Sequence, residues 1–278
     1  MARPFIAASS DIMTAREVSR RSLLRSAAGA VGASLAGGRA AVSVADSGAA
    51  DWQPRWILAS ALYGPFPLAD ILPEGATTGA TMIDLWPKPH GTQREEVDAL
   101  GMEKVREMFA AAGVTLGGIA CYMKGPFNLA GEFALAKKLG AESPVLVTLA
   151  PGKGDAPAAD LAAAIEAFLE KLRPSIAAAE EAGGVIAIEN HSNSLLQTPD
   201  GIRRFADAVT SDRVGVALAP LDFGPLMRQL AAMNFAGPVE IFMHPVPRGV
   251  PILDTVAAIT AEVNRARTAL LAGLGKNG

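Results

Sequence analysis

The stretch "VIAIENHSN", Val185 to Asn193, closes an apolar run with a glutamate, an amide and a histidine. Read as an extended strand, it places Val185, Ala187, Glu189 and His191 on one face, and Ile186, Ile188 and Asn190 on the other. Glu and His then stand at the C-terminal end, on the face with the small residues. That is the arrangement of a site in the mouth of a barrel. The question for the rest of the chain is whether it supplies the other strands.

It does, outward in both directions. "WILASALYG" (Trp56 to Gly64), "ATMIDLW" (Ala80 to Trp86), "VTLGGIACY" (Val114 to Tyr122) and "PVLVTLA" (Pro144 to Ala150) precede it as β-rich runs. "VGVALA" (Val214 to Ala219) and "VEIFMH" (Val239 to His244) follow. Amphipathic, alanine-rich helical patterns alternate with them, several ending in glycine, and "TPDGIRRFADAV" opens with a Thr-Pro-Asp start signal. The longest helical pattern, Ala159 to Gly183, carries Pro174 and is expected to bend or split there. Repeated strand–helix units imply a parallel sheet with helices outside it. No strand leads into a G-x-G-x-x-G turn, and "APGKGD" (Ala150 to Asp155) lacks phosphate-loop spacing. The expected fold is therefore an α/β TIM-type barrel with seven recognisable strands.

Composition agrees with one large domain. The chain has 278 residues, 50% hydrophobic, with a formal net charge of −3 that offers no basic stripe for nucleic acid. A single cysteine, Cys121, excludes an intramolecular disulfide framework and reads as a small buried hydrophobe. The first 45 residues differ in kind. "SRRSLLR", Ser19 to Arg25, sets paired arginines before a short run of Ala, Gly, Val and Leu, and "SVA", Ser43 to Ala45, suits a cleavage end. This resembles a twin-arginine export signal, so residues 1–45 read as a leader and 46–278 as a periplasmic or exported domain. The apolar run is too short and alanine-rich to span a membrane.

The polar residues gather just after the strands, where barrel enzymes put their chemistry: Asp84, Trp86, Lys88 and His90; Tyr122; Glu189 and His191; Glu240 and His244. Together with "IDLWPKPHG", "VIAIENHSNSLLQTPDGIRRFAD" and the segment from Leu221 to Ile252, they make the chain resemble the xylose-isomerase-like TIM barrels, which include sugar-phosphate isomerases and epimerases. The resemblance implies a divalent metal, Mn²⁺ or Mg²⁺, held by Glu, Asp, His and Glu from strands five to eight. Glu189 matches the strand-five ligand and Glu240 the strand-eight ligand, and both would also serve as acid and base. The middle of the pattern is absent: after "VGVALAP" Pro220 runs directly into Leu221, so one βα unit is missing after strand six and the metal site is incomplete.

The remaining candidates line the substrate side. His90, Lys88, Trp86, His191 and His244 are expected to contact a small carbohydrate, with Trp86 and Phe242 equally able to serve as core. His244 shares a face with Glu240, but four strand residues span about 13 Å, too far to share one ion. The expected activity is proton transfer between adjacent carbons of a ketose or aldose with metal assistance. The competing expectation is a catalytically inactive carbohydrate-binding barrel with an incomplete metal site. A metal-dependent endonuclease on a related barrel fits the acidic charge poorly.

Overall fold

In the computed structural model, residues 2–6, 52–219, 223–242 and 253–275 are described. Eight strands close into a ring: β1 (Ala2–Ile6), β2 (Arg55–Leu58), β3 (Met82–Leu85), β4 (Thr115–Ala120), β5 (Val145–Thr148), β6 (Val185–Glu189), β7 (Val214–Ala217) and β8 (Pro238–Ile241). The seven strands β2 to β8 pair in parallel, as the alternating pattern implies, with β8 returning to β2. Helices lie between them: α1 (Leu68–Ile71) and α2 (Glu74–Thr78), α3 (Gln93–Leu100) and α4 (Met102–Ala112), α5 (Ala130–Lys138), α6 (Ala158–Ala182), α7 (Pro199–Ala208), α8 (Phe223–Ala232) and α9 (Val256–Gly275). No helix among the described residues is long and apolar enough to cross a membrane.

The place of the missing unit lies between β7 and β8. β1 occupies it, pairing antiparallel with both neighbours. Residues 2–6 thus sit in the sheet, although they belong to the segment read as a leader. The paired arginines and the rest of that leader, residues 7–45, lie outside the described residues.

Alternation along the strands divides two cores. Ile186 and Ile188 face the helices, within a cluster that includes Leu146, Val214 and Val216. Ala187 faces the barrel interior with Val145, Val147 and Ala217. Glu189 continues the inner face, so its carboxylate belongs to the barrel and not to the outer layer.

Two local readings are refined and a third holds. The first strand stops at Leu58, and Ser60 to Tyr63 form a 3₁₀ turn ended by Gly64. α6 runs unbroken through Pro174, which is exposed, so the carbonyl that loses its amide partner can bond to water. The start signal of α7 works as written: Thr198 Oγ1 accepts the Gly201 N–H at 3.1 Å, with Pro199 at the first helical position.

The "GG" of β4 has a specific task. Ile83 pairs with Leu116 but Asp84 with Gly118, so Gly117 is an extra residue, a bulge beside the mouth. A Cβ on Gly118 would lie 2.5 Å from the Val145 carbonyl oxygen. Gly118→Ala is expected to destabilise the fold by roughly 2–3 kcal/mol, read from urea unfolding, because backbone in a closed sheet cannot yield as a side chain can.

Candidate functional site

The site is built on the C-terminal ends of parallel strands, so residues there share one mouth. β3 carries Asp84 and, two residues on, Trp86; β4 leads to Tyr122; β6 ends in Glu189; β8 carries Glu240 and leads to Phe242. All except the half-buried Tyr122 are buried, and Glu189 and Glu240 are 2% and 1% exposed. Carboxyl groups at that depth need partners.

Each has one. The Tyr122 hydroxyl donates to Glu189 Oε2 at 2.7 Å. Glu240 lies within hydrogen-bonding reach of the Asp84 carboxyl. Asp84 also accepts the Ser60 N–H at 2.7 Å and the indole N–H of Trp86. Burial pushes the Asp84 carboxyl up to about 6, against the pull of its hydrogen bonds from Ser60, Glu240 and Trp86. Two acids thus face each other at this spot, while the Glu189 carboxyl is met by a phenol.

An aromatic wall joins the two. Trp86 stacks on Phe242 with ring centroids 4.5 Å apart and planes at 10°, and it lies 5.3 Å from Tyr122. His90 meets the edge of Trp86 at 5.9 Å; burial lowers its pKa, which favours the neutral ring at pH 7. Trp86 and His90 are thus brought together. His191 is held within its own turn, its Nδ1 2.8 Å from the Ser192 carbonyl oxygen. Lys88 is exposed and lines a cavity of about 360 Å³ with Arg94, Cys121, Lys124 and Glu132, none of them a residue of the carboxyl network. His244 lies outside the described residues.

Asp84 and Tyr122 carry the network, although the family pattern assigns neither a role. The period of two from Met82 through Asp84 to Trp86 was the available signal, since it puts Asp84 on the inner face. Asn190 adds a clasp at the rim. The Ala219 N–H donates to its Oδ1 at 2.6 Å, and its Nδ2 donates back to the Ala219 carbonyl at 3.4 Å.

A divalent cation would need more than this. Among the described residues no three His, Cys, Asp or Glu side chains converge into a cage. Ala217, not an acid, stands opposite Glu189 in register. The described residues do not fit the four-ligand site that the resemblance implies.

The sequence profile of the xylose isomerase-like TIM barrels matches residues 73–220, just over half of the chain. The chain belongs to that family. Solved structures agree on the barrel. A xylose isomerase domain protein from Alicyclobacillus acidocaldarius superposes with a TM-score of 0.55 at 17% identity, covering 80% of this chain and 99% of that one. An L-ribulose 3-epimerase gives 0.59 at 14% identity, covering 80% and 95%. A D-tagatose 3-epimerase-like protein gives 0.54 at 10%, covering 80% and 98%. At these identities the likeness is one of fold. No curated protein sequence matches this xylose isomerase-like barrel.

Proposed function

We propose that this barrel moves a proton between adjacent carbons of a small carbohydrate, as an isomerase or epimerase. The observation that carries the reading is the pairing of two unlike carboxyl systems at one mouth: Glu189 on the Tyr122 hydroxyl, and Asp84 beside Glu240. Proton transfer through an enediolate needs a base on one carbon and an acid on the next. Glu189 takes the proton, and the Asp84–Glu240 pair returns one. Trp86 and Phe242, stacked and buried beside the carboxyl groups, keep water from the intermediate. The paired arginines of "SRRSLLR" support export to the periplasm as the setting for this work.

A second reading has its own support. The carboxyl groups already have protein partners and the described residues form no cation cage, which suits a barrel that binds a carbohydrate without turning it over. Metal assistance, as the family resemblance implies it, would rest on Glu189 and Glu240, and such a pair should bind Mn²⁺ no tighter than roughly 10⁻⁴ M.

One experiment separates the two. The protein is incubated with a panel of ketoses in D₂O, with and without Mn²⁺, and deuterium at the α-carbon is read by mass spectrometry. Wash-in above the buffer rate, with a matching epimer or aldose, is the expected result. Sugar binding by calorimetry without any wash-in would overturn the catalytic reading in favour of the binding barrel.

A further inference from the structure

Between β7 and β8 a parallel strand is missing, and β1 stands there running the other way. Phe5 and Ile6 pair with Ala217 and Val216, while Ala2, Arg3 and Pro4 pair with Ile241, Glu240 and Val239. Two strands flanking a gap each leave a row of main-chain N–H and C=O groups facing it, a template for any extended chain. Left unpaired and buried, such groups cost about 1–3 kcal/mol each. The gap therefore demands an occupant.

The resident occupant is a replaceable one. It offers β7 two register pairs and β8 three. One of its five residues is Pro4, which has no N–H to donate and is at home only at sheet edges. In the sequence, 45 residues (7–51) stand between it and the barrel proper. β2 to β8, by contrast, are consecutive parallel strands, most of them tied together by packed helices.

We infer that the seam between β7 and β8 is a strand-accepting slot, which binds an extended peptide through main-chain pairing, and that residues 2–6 are its resident ligand. The recognition is that of β-strand addition: the backbone supplies the affinity, and alternate side-chain positions supply the selectivity. The slot borders the carboxyl network, since Arg3 occupies the rung of Glu240.

The test uses the full chain carrying F5P and I6P; successive amides of a strand point to opposite sides, so the pair removes the donor that faces β7 whichever residue supplies it. Amide hydrogen exchange over Val214–Ala217 and Val239–Ile241 should run roughly tenfold faster than in the unaltered protein, with Leu146–Thr148 unchanged. A fluorescein-labelled Ala-Arg-Pro-Phe-Ile peptide should bind the variant at a single site and restore protection, while the unaltered chain takes it roughly tenfold more weakly. Equal protection in the two proteins would overturn the proposal, as would an open seam that takes no peptide. Should the variant lose protection in every strand, F5C/A217C decides in the otherwise intact chain, because directly opposed strand residues lie within disulfide reach. Oxidation should link the pair within one chain and exclude the labelled peptide, and reduction should readmit it. No intrachain link, or a linked protein that binds the peptide as well as the reduced one, would overturn it.

Discussion

Glu189→Gln should lower α-proton exchange by roughly 10²–10⁴-fold, the range that a positioned general base contributes, while moving stability by less than about 0.5 kcal/mol. The amide keeps the shape of the carboxyl, and its oxygen can still accept the Tyr122 hydroxyl where Glu189 Oε2 now takes it at 2.7 Å. What disappears is the basic lone pair. Tyr122→Phe leaves the base and removes only its orienting bond, so the loss should be smaller, on the order of tenfold. Deuterium uptake measured on the three proteins, beside urea unfolding curves, checks both. Exchange in Glu189→Gln equal to that of the unaltered protein would place the base elsewhere.

Arg94→Met should cost about 3 kcal/mol of stability, the largest effect expected away from the mouth. Glu132 on α5 is 2% exposed, and Arg94 on α3 meets it with two bonds, Nε to Oε2 at 2.7 Å and Nη2 to Oε1 at 3.2 Å. Lys124 adds a third contact at 2.5 Å but is itself half exposed, so it offsets less. Burial pushes the Glu132 carboxyl up, and the guanidinium beside it more than reverses this, leaving it below its usual value near 4.5. A carboxyl lowered in the folded state stabilises above its unfolded pKa, and that contribution is lost as pH falls through the folded one. The unaltered protein should therefore lose stability below about pH 4.5, with Arg94→Met showing a weaker acid slope. A midpoint lower by roughly 10 °C in thermal unfolding at pH 7 is the expected reading. Arg94→Met combined with Glu132→Leu should recover most of it, because an apolar pair replaces a buried charge that lacks its partner.

Much of the barrel was legible because each parallel strand is covered on both faces and so reads as a short apolar run between helical patterns. Val185 to Glu189 and Val214 to Ala217 are such runs, and both are strands. The closing strand was not legible. "ARPFI" is short, holds Arg and Pro, and makes sense only beside a gap that two distant segments create. The site divides the same way. Glu189 and Glu240 stand out as acids at strand ends, whereas the approach of Asp84 to Glu240 joins residues far apart in the chain and depends on barrel closure. Lys88 illustrates the converse. Its place in the chain after Trp86 suggested the mouth, but the turn that follows carries it to a neighbouring cavity.

The register of β6 on β7 has a consequence for how this barrel can change. Ala217 is the rung opposite Glu189 and faces the same interior. Neighbouring strands lie about 4.8 Å apart, so an acid at 217 would set two carboxylates side by side at a spacing one cation can bridge. Alanine and aspartate codons differ by a single base. The distance between this mouth and an ion-binding one is thus short in mutational terms, and it is crossed on a strand whose backbone is already in place.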